Sequence, residues 1–156
     1  MRLNAAFLAF AFLASGYAQA APAVEPVKVN LQAFKVVSAN GKESLVESKT
    51  AKPGDVLEYR ATYNNVSKKN VANLLATLPV PKGMEYVAQS GSPASPEASL
   101  DGKVFAPVPL MRKRADGKGD EPVPVADYRA LRWKALDLPA GKTFEVSARM
   151  RVGASQ

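Results

Sequence analysis

The sequence at residues 52–67, KPGDVLEYRATYNNVS, gives the strongest indication of the fold. Pro53-Gly54 predicts a tight turn, because proline fixes one backbone angle and glycine accepts a positive φ at the next position. After Asp55, apolar residues alternate with polar ones, a period that is typical of a β-strand with one buried face. The inward residues predicted by this period are Leu57, Tyr59, Ala61 and Tyr63.

The end of this stretch resembles a modification site. Asn65-Val66-Ser67 matches the acceptor triplet for N-glycosylation. Asn64-Asn65 also lies between the last inward residue and Lys68-Lys69, as a turn between two strands would, so we interpret it as a turn without a sugar. On this interpretation replacing Gly54 or Tyr59 destabilises the fold, whereas Asn65→Gln leaves folding nearly unchanged.

The same alternation recurs along the chain, at residues 27–33, 72–78, 84–88, 131–133 and 144–152. In the first of these runs Val27, Val29, Leu31 and Ala33 share one side. The turn Pro139-Ala140-Gly141-Lys142 is expected to join the last two runs as an antiparallel pair. Trp133 lies in the inward register of its run, which favours core packing over a sugar-stacking platform.

About seven such strands, separated by Pro, Gly and Asn turns, predict an all-β fold. We expect an immunoglobulin-like antiparallel β-sandwich, with an up-and-down barrel as the alternative. Residues 89–99 and 111–125 lack strand periodicity and are expected to be exposed loops.

The first twenty residues have the pattern of a cleaved secretory signal. Arg2 precedes an apolar run at residues 5–14, and Ala18 and Ala20 have the spacing that signal peptidase recognises. An uncleaved anchor is the alternative. The sequence therefore predicts a single exported domain at residues 21–156, with no transmembrane segment after signal cleavage. We expect it in a bacterial periplasm, or else secreted or surface-associated.

The absence of histidine and cysteine excludes several classes of chemistry. Ser-His-Asp and Cys-His catalysis, the usual zinc sites and disulfide frameworks all need one of these residues. The carboxylates are scattered rather than clustered as a glycosidase cleft requires. We therefore expect no enzyme activity, no cofactor and no metal.

The net charge of +7 favours anionic surroundings, and loss of Arg2 with the signal would lower it to +6. The densest basic cluster is Arg112, Lys113 and Arg114, with Lys118 nearby, and it is a candidate contact for an anionic polymer. The alternative is an ordinary solvated face. No aromatic residues are interleaved, so specific nucleic-acid recognition is not expected. The acids between Asp116 and Glu121 do not have calcium-loop spacing, which predicts a flexible loop.

Several short motifs occur in a recognisable order. They are Pro53-Gly54-Asp55, the Leu57/Tyr59 alternation, Tyr63-Asn64-Asn65 with Ser67, Asn73, Pro81-Lys82-Gly83 and Tyr86-Val87. In this order the chain resembles, over residues 44–152, the conserved-repeat surface domain family catalogued as domain of unknown function eleven. Leu78 departs from the pattern, since many members carry aspartate there. The resemblance implies an immunoglobulin-like fold, export and association with the cell envelope, and it implies no catalytic residues.

Three functions are compatible with these observations. The leading hypothesis is an exported, non-enzymatic envelope module for protein–protein or protein–polymer contact. The first alternative is a polyanion- or carbohydrate-binding periplasmic module, and the second is a chaperone-like domain that accepts a strand at an open sheet edge. The sequence leaves the partner and the oligomeric state open.

Overall fold

Two antiparallel β-sheets face each other across a shared core in the computed structural model, which describes residues 25–47 and 50–154. The predicted signal at residues 1–20 lies outside this range. A short 3₁₀ turn spans Val125–Asp127. The strands are β1 (Val27–Ala39), β2 (Lys42–Glu47), β3 (Val56–Asn65), β4 (Val71–Pro79), β5 (Met84–Tyr86), β6 (Glu97–Ser99), β7 (Ala106–Pro107), β8 (Met111–Lys113), β9 (Asp120–Pro122), β10 (Ala130–Leu138) and β11 (Thr143–Val152).

The strand order confirms the predicted all-β antiparallel sandwich. The first sheet has the order β2-β1-β3-β11-β5, the second has the order β4-β10-β6-β7, and β8 and β9 form a separate hairpin. The described residues thus contain eleven strands rather than about seven. The strands that were not identified individually are β2 and the short strands β6 to β9. Strands β6 to β9 have two or three residues each, which is too few to show a period of two. The finer immunoglobulin-like assignment stays a prediction.

Strand β3 lies at the centre of the first sheet, between β1 and β11. The predicted inward residues Leu57, Ala61 and Tyr63 are buried, and Tyr59 packs against the edge of the core. The neighbouring strand β11 pairs Val146 with Ala61 and buries its own alternate residues. The period of two therefore identified the buried face of the central strand pair correctly.

The turn before β3 forms as predicted. Gly54 has a φ of 87°, and the Asp55 N–H donates to the Lys52 carbonyl at 3.0 Å. The Asp55 carboxylate accepts hydrogen bonds from Lys35 Nζ at 2.7 Å and from the Lys52 N–H at 2.8 Å. The hydrogen bond from Lys35 is the largest cause of a lowered pKa at Asp55. This residue joins the turn to β1, so it is a structural residue.

The predicted pairing of β10 with β11 is wrong. The turn at Pro139-Ala140-Gly141-Lys142 forms, with the Lys142 N–H donating to the Pro139 carbonyl at 3.0 Å. However, β10 pairs with β4 and β6 in the second sheet, whereas β11 pairs with β3 and β5 in the first. The Gly141 N–H donates to the Asn65 carbonyl and the Asn65 N–H donates to the Lys142 carbonyl, each at 2.9 Å. These bonds hold the turn against the end of β3, so the chain crosses from one sheet to the other.

Asn65 has the predicted turn chemistry and also a buried structural role, so we now expect Asn65→Gln to destabilise the fold. It is the last residue of β3 and is fully buried. Its Nδ2 donates to the carbonyls of Lys69 and Leu138, each at 2.8 Å. Its Oδ1 accepts the Ser67 N–H at 3.0 Å and the Ser67 hydroxyl at 2.7 Å. Both amide hydrogens are donated within the protein. The additional methylene of Gln would move the amide group away from these four hydrogen-bonding partners.

The burial of β1 differs from the prediction. The strand forms, but Val29 and Leu31 are 58% and 48% exposed. They pair with the buried residues Tyr63 and Ala61, so they lie on the inner face of the first sheet. Neither residue is among the described side chains that pack against the core of the sandwich.

The turn after β6 is built on two polar residues, Ser99 and Asp101. The buried Ser99 hydroxyl donates to Asp101 Oδ1 at 2.9 Å and accepts the Gly102 N–H at 2.9 Å. The Asp101 carboxylate also accepts the backbone N–H groups of Lys103 and Val104, at 2.8 and 2.9 Å. These donors, with Lys103 the largest contributor, lower the pKa of Asp101 from 3.8 to about 2.

We predict that Asn65→Ala destabilises the protein by about 2–4 kcal/mol, because it removes the side-chain donor of the buried Leu138 carbonyl and the acceptor of the Ser67 N–H. Urea denaturation followed by circular dichroism measures the free energy of unfolding. Asn64→Ala is the matched control, since the neighbouring side chain is exposed, and it should change stability by less than about 0.5 kcal/mol. Equal effects of the two substitutions would contradict the assigned role of Asn65.

We also predict that Asp101 contributes to the acid sensitivity of the fold. A carboxylate with a lowered folded-state pKa stabilises the protein above its unfolded pKa, and this stabilisation is lost as the pH falls from about 4 towards about 2. The Asp101→Asn variant should be less stable than wild type at neutral pH, and the difference should shrink across that window. Urea midpoints measured at several pH values test this. A difference that is constant with pH would rule out the proposed linkage.

Candidate functional site

A cavity of about 470 Å³ lies beside Tyr86 and Tyr128, and we call it the tyrosine cavity. It lies between the segment at residues 88–96 and the chain around Val108, Pro109 and Val125. Its walls are mainly aromatic, aliphatic and proline side chains, with Gln89 and Ser95 as polar exceptions. Apolar clefts of this size with a few polar groups are typical of binding sites.

The two tyrosines give this cavity a fixed wall. Their ring centroids are 6.2 Å apart with the planes inclined by 18°, and both residues are buried. The Tyr128 hydroxyl accepts the Leu110 N–H at 2.9 Å, and the Tyr86 hydroxyl accepts the Gly91 N–H at 3.3 Å. Burial raises the pKa of Tyr86, so its phenol is neutral at physiological pH. The wall is therefore suited to packing rather than to nucleophilic chemistry.

The rim segment at residues 89–96 is attached to the sandwich at several points, although composition predicted only an exposed loop. Ser92 and Ser147 exchange backbone hydrogen bonds at 2.7 and 2.8 Å, and Trp133 Nε1 donates to the Pro93 carbonyl at 2.6 Å. A Cβ on Gly91 would lie 3.1 Å from the Pro96 ring and 3.3 Å from Trp133 Cζ2. Glycine therefore favours the close approach of this segment to the buried tryptophan, because a larger residue would require Pro96 or Trp133 to shift.

A second, more polar cavity of about 420 Å³ lies on the other side of the same segment. Glu97 Oε2 accepts hydrogen bonds from Arg132 at 2.6 and 2.9 Å, and Glu97 Oε1 accepts one from Lys134 at 2.6 Å. Hydrogen bonding from Lys134, then from Arg132, lowers the pKa of Glu97. The Arg132 guanidinium also lies 4.1 Å from the centroid of the Phe105 ring. This carboxylate is held ionised between two cations and is a poor general acid.

The predicted basic cluster lies on the β8–β9 hairpin, within a segment that was expected to be a loop. The Arg112 and Glu121 side chains are 2.8 Å apart, and so are those of Lys113 and Asp120. Arg114 lies 3.5 Å from Asp116. Bases and acids are placed symmetrically about Asp116-Gly117 in the sequence, and this spacing was the available signal for the hairpin. Most of the basic charge is paired locally, so the cluster does not form a continuous cationic patch.

The structure places the predicted structural residues outside this hairpin, in the turn and the core. Pro53, Gly54 and Asp55 form the turn before β3, Leu57 and Tyr63 are buried, and Tyr59 is half-buried. Trp133 is buried on β10 and lines the polar cavity. Sequence reasoning missed both cavities, because each is formed by segments that are distant in the sequence.

The free edge of β4 is protected against strand addition. The Tyr63 hydroxyl donates to the Thr77 carbonyl at 2.8 Å and accepts the Thr77 N–H at 2.9 Å. Asn73 has a φ of 53°, which interrupts the regular strand, and Pro79 ends it. Irregularities and prolines of this kind are common protections of sheet edges. The strand-accepting hypothesis receives no support at this edge.

Within residues 25–47 and 50–154, no three acidic side chains come together as metal ligands. The same residues contain no helix that is long and apolar enough to span a membrane. Comparison of the chain with protein-family models, with curated proteins and with solved structures finds no match. The resemblance to the conserved-repeat surface domain family therefore stays a prediction.

We predict that Tyr128→Phe lowers the free energy of unfolding by about 1–3 kcal/mol, because it leaves the Leu110 N–H buried without an acceptor. Tyr59→Phe is the matched control, since the Tyr59 hydroxyl contacts only Met84 Sδ, at 3.5 Å, among the described partners. Chemical denaturation compares the two variants. If Tyr59→Phe is as destabilising as Tyr128→Phe, the Leu110 hydrogen bond does not support the cavity wall.

Proposed function

We propose that this chain is an exported, non-enzymatic module that contacts a partner protein of the cell envelope through the tyrosine cavity. The observation that carries the proposal is a cavity of about 470 Å³ with a wall of two stacked, buried tyrosines. A rigid apolar cavity can receive an aromatic or aliphatic side chain of a partner without a large ordering penalty.

The chemistry of the lining favours a protein over a charged polymer. Ala88, Pro96, Val108 and Pro109 offer no charged group. The nearby ionic groups Glu97 and Arg132 already pair with each other. A polyanion would have to compete with these internal ion pairs. Binding of an apolar side chain is favourable, because it removes the apolar lining of the cavity from water.

The other parts of the proposal rest on the sequence. The chain has no histidine and no cysteine, which supports a role without catalysis. The apolar run after Arg2 and the small residues Ala18 and Ala20 support export. Export would bring the module into contact with envelope proteins.

Site-specific photo-crosslinking in cells tests this function. A benzophenone amino acid at Ala94, an exposed residue of the cavity lining, should capture a discrete protein product. The same group at Ala115, exposed at the tip of the hairpin, is the position control. Ala88→Trp should fill the cavity and reduce capture at position 94 by about tenfold or more, because the partner would lose an anchoring contact. Ala115→Trp should leave capture at position 94 unchanged.

Identical products at both positions, or capture that Ala88→Trp leaves unchanged, would contradict the proposal. Polyanion binding is the second candidate, since the net charge is +7. It predicts that reversing Arg112 and Arg114 to Glu abolishes a salt-sensitive interaction. The cavity proposal predicts that this reversal leaves capture at position 94 unchanged.

A further inference from the structure

The edge of the first sheet at β1 is only half paired in the described residues. Strand β3 pairs with β1 from Val27 to Lys35, and β2 pairs with its other side from Phe34 to Ala39. No described strand pairs with residues 27–33 on the side away from β3. Residues 28–32 are all exposed, which is unusual for the middle of a long strand.

This free edge also carries apolar side chains. Val29 is 58% exposed and Leu31 is 48% exposed, both on the inner face of the sheet. Val46 of β2, on the same face next to Lys35, is 48% exposed. Unlike the protected edge of β4, residues 27–33 contain no proline, no residue with a positive φ and one charged residue, Lys28. An edge of this kind readily pairs with another strand.

We propose that the free edge of β1 pairs antiparallel with the same edge of a second copy of this chain, about a twofold axis at Asn30. In this register Val29 lies opposite Leu31 of the second copy, on the same face of the joined sheet. Lys28 lies opposite Gln32, and Val27 lies opposite Ala33. The two first sheets become one continuous sheet.

The residues around Asn30 are complementary to themselves in this register. A twofold interface requires the same patch to match itself, and here each apolar residue meets an apolar residue. The only charge at the free edge meets a neutral amide, so no like charges lie directly opposite. The length also fits, because each copy offers residues 27–33 and no described strand of the other copy pairs with these residues at its free edge.

Pairing of two copies at the β1 edge leaves the tyrosine cavity accessible. Tyr86 belongs to β5, which lies at the opposite edge of the first sheet from β1 and β2. The dimer would therefore present two cavities at its far ends. The inference is independent of the proposed function, because the dimer interface and the cavity share no residue.

Single-cysteine crosslinking tests the pairing directly, because the chain contains no cysteine of its own. At the twofold axis, Asn30→Cys places two Cβ atoms about 4.5–5.5 Å apart, which is close enough for a disulfide after a small adjustment. Lys28→Cys and Gln32→Cys are matched controls on the same face. Each would lie about 13 Å from its own copy at 3.3 Å per residue, too far for a disulfide.

Mild oxidation followed by non-reducing electrophoresis should give disulfide dimers with Asn30→Cys and about tenfold fewer with either control, given these distances. Sedimentation velocity of wild type should show a concentration-dependent dimer, which Leu31→Glu abolishes. The circular dichroism of Leu31→Glu should be unchanged, because the side chain is half exposed.

A wild-type monomer at all concentrations tested would overturn the proposal. Equal crosslinking at the three positions would indicate random collision and would also overturn it. Preferential crosslinking at Lys28 or Gln32 would overturn the assigned register. Occupation of the edge by a different protein, with no homodimer, would overturn the choice of a second copy.

Discussion

The side-chain amide of Asn65 is the contact on which the arrangement of the two sheets depends. Its Nδ2 donates to carbonyls after β3 and at the end of β10, while its backbone bonds to the turn that leads into β11. One buried residue thus fixes the end of the central strand, the following loop and the crossover between the sheets. Buried polar groups impose such specific geometry because an unpaired alternative is costly.

The burial pattern of the central strands was predictable because it is local. In β3 and β11 apolar residues recur at every second position, and this period alone identifies Leu57, Tyr63 and Val146 as inward residues. Strand pairing was less predictable, because a Pro-Ala-Gly-Lys turn has the same local chemistry in a hairpin and in a crossover. The exposure of Val29 was not predictable either, because it depends on which parts of the folded chain pack against that face of β1.

The tyrosine cavity was also not predictable from local sequence patterns. Tyr86 and Tyr128 lie far apart in the sequence, and nothing local to either residue indicates that their rings stack. The basic cluster has the opposite property, since Arg112 and Lys113 are conspicuous in the sequence but have local acidic partners in the hairpin. Cationic residues indicate an anion site only if their charges remain unpaired, and pairing is a property of the folded chain.

Hydrogen exchange of side-chain amides by NMR tests the role of Asn65 most directly. Both Nδ2 hydrogens of the buried Asn65 side chain are donated to backbone carbonyls. They should therefore exchange only when the sandwich unfolds, as slowly as the backbone amides of the β3 core. The exposed side chain of Asn64 provides the fast reference in the same spectrum. Asn65 Nδ2 hydrogens that exchange as fast as those of Asn64 would contradict this account of the fold.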